Sequence, residues 1–414
     1  MIFIRPPGTC RERIYPVHKL LVPSSALLWG LQLAFLSPAL ALILVNLYGA
    51  TTAEVGWVLG IYNVGGFIAS LLLPAFADKK SDYLGPMLAC GALTLLLAVV
   101  LGFATNLPTA TVALVVIGGP AGVGSSLLFA HLRHSGGRPA DVINTRAIIS
   151  VAWVAGPPVA TFIMGSFGNR AMLLAIGAVA VLNVAATAMM IKARAAADRA
   201  DDVAGDEARR TATSTEPSAR RLVIVLITAA FVLLQATNAT AMTAMTIYVT
   251  DTLQMDVMWA GIALGAAAAL EVPALLLAGR LTGRFSQLGL IITSCIAGIG
   301  YYLGLSAVTG PLPLLALQLL NAWSFAGISG VGLPLFQQMI PQPGFSTGLY
   351  MNTRRIGAIV SGPIIAVGSL TALGQRGIFL TSAALTLVGL AIIVIAKQVK
   401  PVTPKRSATP REVH

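Results

Sequence analysis

Apolar residues run through this chain in blocks of about twenty or more, separated by short polar stretches. Blocks of that length predict transmembrane helices. The blocks are uniformly apolar, without the two-residue alternation of a barrel strand. In lipid only helices and closed barrels satisfy their backbone hydrogen bonds, so the pattern predicts a polytopic helical membrane protein. Twelve spans follow, near 20–45, 54–77, 84–105, 108–130, 142–165, 170–191, 222–249, 257–280, 288–308, 312–339, 346–369 and 377–397. Each is long enough to cross about 30 Å of hydrocarbon at about 1.5 Å per residue.

Composition agrees with that pattern. Of 414 residues, 56% are hydrophobic and 10% charged. The mean hydropathy is +0.83. A soluble protein carries about 25% charged residues. This excludes a secreted enzyme, a nucleic-acid-binding module and a disordered tail protein. Three cysteines (Cys10, Cys90 and Cys295) form neither a disulfide framework nor a metal-site spacing.

One polar stretch stands apart. Residues 192–221 hold Arg194, Asp201, Asp202, Glu207, Arg209 and Pro217 and are rich in Ala, Thr and Ser, which predicts a central linker. The expected organisation is therefore an N-terminal tail over 1–19, a six-helix bundle over 20–191, the linker over 192–221, a second bundle over 222–397 and a C-terminal tail over 398–414. Of 27 Lys and Arg residues, 22 collect on one side, with the termini and the linker. Arg170 and Arg376 fall on the other, and Arg146, Arg354 and Arg355 lie inside spans. This asymmetry, which also accounts for the net charge of +12, predicts cytoplasmic termini and linker. The early Ala39-x-Ala41 resembles a signal-peptide cleavage site, but the apolar run continues to Val45, so the segment is expected to stay as the first span.

The two halves resemble each other at an offset of 205–208 residues. Gly56-x-x-Leu59-Gly60 is matched by Gly261-x-x-Leu264-Gly265, and Asn144-Thr145-Arg146 by Asn352-Thr353-Arg354. Gly156-Pro157 pairs with Gly362-Pro363, and Leu27-Leu28-Trp29-x-x-Gln32 with Leu233-Leu234-Gln235-x-x-Asn238. A parallel 6 + 6 repeat joined by a linker is the layout of a major facilitator transporter, with the solute site near mid-membrane between halves that rock for alternating access.

Several stretches carry a closer resemblance. Ala152–Pro158, Gly265–Pro273 with its intramembrane Glu-Val-Pro, Leu317–Ala322 and Leu349–Gly357 resemble the sugar efflux transporter family, a branch of the major facilitator superfamily. The resemblance implies export of sugars or sugar-like glycosides in exchange for protons. The protein is further expected to sit in the inner membrane as a monomer among lipids. Departures occur in the loop Ala77–Asp82, which keeps an acidic-basic character without the superfamily's full Gly and Arg pattern.

Within this frame a few polar residues become candidates. Glu271 lies near the middle of span 8, where a carboxylate facing lipid costs several kcal/mol. It must face a cavity, pair with a cation or hold a proton, and it is read as a proton-coupling or substrate-binding group, or as a structural ion pair. Trp29, Gln32, Asn63, Gln235, Asn238, Gln318, Asn321, Trp323 and Asn352 offer the flat faces and directional hydrogen bonds that sugar hydroxyls need, although buried amides also join helices. Asp78 and Asp82 with Lys79 and Lys80, together with Arg146, Arg354 and Arg355, are gating candidates; for the arginines, snorkelling and substrate contact are the alternatives. One of Arg354 and Arg355 is expected to face a carboxylate such as Asp141 or Glu271. Gly156-Pro157 and Gly362-Pro363 signal a hinge, close packing or an ordinary kink.

No nucleotide-binding loop, nucleophile–base pair or convincing metal site is legible, so no cofactor, nucleic-acid partner or enzymatic activity is expected. Two rivals to the sugar exporter remain. One is a multidrug or metabolite efflux transporter of the same fold; the other is a membrane receptor or scaffold that transports nothing.

Overall fold

The computed structural model describes residues 16–201, 218–370 and 374–398. Most of both expected tails and the core of the expected linker (residues 202–217) lie outside these residues. Among the described residues twelve helical rods follow one another. They are α1 (Pro16–Tyr48), α2 (Thr52–Lys80), α3 (Leu84–Phe103), α4 (Leu107–His134), α5 (Pro139–Phe167) and α6 (Asn169–Asp201). The second half continues with α7 (Arg221–Thr252), α8 (Val257–Leu281), α9 (Gln287–Ala307), α10 (Pro311–Met339), α11 (Pro343–Ser369) and α12 (Gln375–Gln398). Helix α6 runs past the sequence-based boundary at 191, through Asp201.

Among the described residues, ten helices are long and apolar enough to cross a membrane, and α1 makes an eleventh. Helix α1 bends by 44° between Leu20–Leu36 and Ala39–Tyr48. Helix α11 has the length, but Asn352, Arg354 and Arg355 dilute its apolar character. Helix ends are closed locally. Thr51 and Glu54 form a reciprocal capping box on α2, and the side chains of Asp256 and Ser286 cap α8 and α9.

Within each half, small residues bring helices together. Gly30 of α1 meets Ile149 and Ala152 of α5, and Gly156 of α5 meets Ala34 of α1. Each helix thus offers a small-xxx-small pair that lets the backbones approach closely. Gly362, the repeat partner of Gly156, has open space around it; in the second half the close approach falls at Gly357, against Gln235 and Ala236 of α7.

The repeat is also visible in features that carry no sequence motif. The Tyr48 hydroxyl of α1 donates to the Leu101 carbonyl at 2.5 Å, and the Tyr248 hydroxyl of α7 donates to the Leu305 carbonyl at 2.5 Å. Helices α4 and α10 each contain a π-helical turn, at Leu114–Gly118 and Ala326–Val331.

The apolar cores show how the halves meet. On the side of the termini one core spans both, joining Ala77, Met87, Leu127 and Ile143 to Leu275, Ile291, Phe336 and Ile340. On the opposite side the cores are separate. One is built only from α1 to α6, around Ile43, Leu97 and Ile176, and the other only from α7 to α12, around Met245, Tyr301 and Phe379. Gly56, Gly60, Gly261 and Gly265 on that side have open space beside them. The molecule is closed at the terminal side and cleft at the other.

Candidate functional site

Two seams join the halves: α2 with α11, and α5 with α8. They are related by the repeat, because α5 corresponds to α11 and α8 to α2. Both Asn-Thr-Arg triplets lie on these seams. Asn352 of α11 accepts from the Ser70 hydroxyl of α2 at 2.8 Å. Asn144 of α5 packs on Gly279 of α8, where a Cβ would sit 3.0 Å from the amide oxygen. The asparagine of each triplet therefore touches the opposite half, and the arginine two residues on turns to another part of the helix face.

The α2–α11 seam is closed by many polar contacts. Asp78, at the end of α2, accepts from the Gly344 and Phe345 backbone N–H groups, each at 2.7 Å, and from the Tyr83 hydroxyl at 2.7 Å. A carboxylate here caps the N-terminus of α11, where the free N–H groups and the helix dipole favour negative charge. Arg355 donates to the Gly66 carbonyl and, at 2.9 Å, to the Ser70 hydroxyl. A Cβ on Gly348 would overlap the Ser70 carbonyl, so only a glycine permits this approach. Asp82 makes a local contact, accepting from the N–H groups of Leu84 and Gly85 at the start of α3, each at 3.2 Å.

The α5–α8 seam is built differently. Arg146, Ser150 and Trp153 fall at i, i+4 and i+7 of α5 and so share one helix face. The Ser150 hydroxyl donates across the seam to the Glu271 carboxylate of α8. Arg146 and Arg354 lie within electrostatic reach of Glu271 and of one another. Arg146 stacks over Phe325 of α10 at 5.9 Å, and Arg354 over Trp153 at 6.0 Å. Arg354 meets solvent although it sits deep between helices, so the crevice at this point is wet. One turn before it, the buried Tyr350 hydroxyl is within 3.0 Å of the Ile328 and Ser329 carbonyls in the π turn of α10. Arg354 thus faces the crevice with Glu271, while Arg355 is committed to α2.

The polar candidates divide by position. Gln32 is buried inside the first half, donating to Thr94 at 2.8 Å and accepting from Asn183 at 2.8 Å. Trp29 is 1% exposed, with its ring against Gly124. Gln235 is buried beside Gly357, and Gln318 is buried and donates to the Leu314 carbonyl at 3.0 Å. Asn321 donates to Gln318 at 3.1 Å, and Trp323 donates to Thr293 at 3.3 Å. Asn63 is exposed, its amide bonded to the Leu59 carbonyl of its own helix at 2.8 Å, and Asn238 is half-buried. The central cluster thus unites Glu271, Arg146 and Arg354 with Ser150, Trp153 and Tyr350. The last three were not site candidates in the sequence, although the spacing of Arg146, Ser150 and Trp153 was a usable signal. Among the described residues no His, Cys, Asp and Glu cluster could hold a metal ion.

Two helical bundles with a charged crevice between them define a membrane carrier. Relatives place it more closely. The profile of the Major Facilitator Superfamily matches residues 24–362. The chain is 31% identical over 355 residues to sugar efflux transporter A of Dickeya chrysanthemi, covering 83% of this chain and 88% of that protein. It is 29% identical over 350 residues to sugar efflux transporter B of Salmonella typhimurium, covering 83% and 87%. The crystal structure of the human organic anion transporter MFSD10 superposes with a TM-score of 0.68 at 15% identity, covering 91% of this chain and 99% of that one. The chain belongs to the Major Facilitator Superfamily of transporters, and the two relatives above are named sugar efflux transporters. It is a multi-pass membrane transporter and not an enzyme.

Proposed function

We propose that this protein exports sugars or sugar-like glycosides across the inner membrane by alternating access, in exchange for protons. The termini and linker face the cytoplasm in this reading, which the bias of basic residues to that side supports. The two-bundle organisation carries the motion, and the cleft arrangement described above is then the outward-open state. The protein acts as a monomer in lipid, with no cofactor.

One observation carries the reading. Glu271, the acidic residue at the middle of α8, holds the opposite half through Ser150 and shares a wet crevice with Arg146 and Arg354. A carboxylate so placed can be ionised and held by Ser150 in the field of the arginines, or protonated and freed from that field, and the two conditions favour different arrangements of the α5–α8 seam. Trp153 offers a ring face to a sugar, and the cluster's charged and hydroxyl groups offer hydrogen bonds to its hydroxyls. Asn63, which is exposed, and Asn238, which is half-buried, extend the solute path. Gln32, Gln235 and Gln318, with Trp29, hold their own bundles together. Asp78, Asn352 and Arg355 form the cytoplasmic latch that must open for the inward-facing state.

Flux of labelled sugars and drugs from proteoliposomes, with and without an imposed pH gradient, tests the proposal. It predicts sugar flux that the gradient accelerates. Drug flux without sugar flux transfers the assignment to a multidrug exporter of the same fold.

A further inference from the structure

The charges buried at the centre do not balance. The spans hold three arginines well inside their ends, Arg146, Arg354 and Arg355, against one mid-span carboxylate, Glu271. Arg355 is spoken for by the Gly66 carbonyl and Ser70. Arg146 and Arg354 are left with Glu271 within electrostatic reach of both, and neither forms an ion pair with a carboxylate among the described residues. Instead each guanidinium rests on an aromatic ring, Phe325 or Trp153. Glu271 itself is engaged by the Ser150 hydroxyl. A cation kept at this depth without its own counter-charge is costly, and carriers keep one there for a ligand or an ion path.

We propose that the missing counter-charge comes with the solute: the carried molecule is an anionic sugar, a sugar acid or sugar phosphate whose negative group docks between Arg146 and Arg354. This rests on the sugar-carrier reading above and narrows it. A guanidinium presents a planar fork of donors that fits a carboxylate or phosphate in two parallel hydrogen bonds. Arg354 is open to solvent in the crevice, so its fork can be reached from the cleft side. Trp153, against which Arg354 lies, takes the apolar face of the pyranose ring. With Glu271 ionised, the two arginines, the carboxylate and a sugar acid sum to zero, and a sugar phosphate, at about −1.5 to −2, leaves the loaded centre slightly negative. A neutral sugar leaves one guanidinium uncompensated.

Three probes distinguish the possibilities in proteoliposomes containing the full chain: labelled D-glucuronate, D-glucose 6-phosphate and D-glucose. At least tenfold faster flux of glucuronate or of glucose 6-phosphate than of glucose is the expected result; which of the two is faster identifies carboxylate or phosphate as the docking group. Arg354→Gln should cut the anion-to-glucose flux ratio at least tenfold, and Arg354→Lys should restore part of it. Arg146→Gln should lower the same ratio, which keeps the test decisive if one variant fails to insert. Glucose flux matching or exceeding flux of both anions, or a ratio indifferent to both glutamine variants, overturns the anion inference and leaves sugar transport standing. Absence of flux for all three, with drug flux intact, overturns both.

Discussion

The two seams between the halves have the same ancestry in the repeat and opposite chemistry. The α2–α11 seam is a latch: a carboxylate caps a helix, an asparagine meets a serine and an arginine grips a carbonyl. Among the described residues the α5–α8 seam shows one hydrogen bond between side chains, Ser150 to Glu271, beside the exposed Arg354. At the position in α2 that corresponds to Glu271 of α8 stands Gly66, whose carbonyl receives Arg355. The two seams share a scaffold and differ at several matched positions: Asp78 and Arg355, which hold the first, have Gly283 and Ala147 as counterparts in the second. On the proposed mechanism the first seam sets how long the terminal side stays shut, and the second sets what the transition is coupled to.

Substitutions should therefore sort by seam. The largest effect is expected from Glu271→Gln, which keeps the side-chain shape and the contact to Ser150 but cannot bind and release a proton. Acceleration of sugar flux by a pH gradient should vanish, while yield and monodispersity stay at wild-type levels. Undiminished gradient dependence would remove Glu271 from coupling. Next comes Asp78→Ala, which strips α11 of two charge-assisted backbone hydrogen bonds. Loss of about 3 kcal/mol shifts the balance of closed and open latch roughly a hundredfold. Labelling of a cysteine introduced beside Gly344 should speed up accordingly, with the pH response of the remaining flux preserved. The smallest effect is expected from Asn352→Ala. It removes two neutral hydrogen bonds to α2, the short one from Ser70 and a long one at 3.5 Å to the Phe67 carbonyl; a loss of about 1 kcal/mol should speed the same labelling about fivefold. If latch variants altered the pH response, or Glu271→Gln altered only labelling, the division between the seams would be wrong.

Much of the fold is legible in the chain, because length and apolarity suffice to mark a span. The halves announce themselves through the Asn-Thr-Arg triplets and the glycine pairs. The bend in α1 and the π turns of α4 and α10 leave no comparable trace, since a local change in helical pitch alters no hydropathy. Site residues are legible only when their chemistry is conspicuous. Glu271 stands out because a mid-span carboxylate demands an explanation. Gln32 and Asn63 look equally polar in sequence, yet one is buried in a hydrogen-bond network and the other is exposed. In membrane helices the lipid-facing and bundle-facing sides are both apolar, so periodicity does not reveal which way an amide points. Ser150 and Trp153 escaped for a related reason. Neither is unusual alone, and only their shared face with Arg146 marks them.

Coupling itself can be watched directly. Liposomes containing the protein, loaded with sugar and a trapped pH-sensitive dye, are diluted into sugar-free buffer, so that efflux runs down its own gradient. Exchange against protons predicts that the lumen acidifies as sugar leaves, and that with Glu271→Gln any remaining efflux proceeds without a pH change. Equal acidification in wild type and variant, or efflux with no pH change in the wild type, would contradict the account.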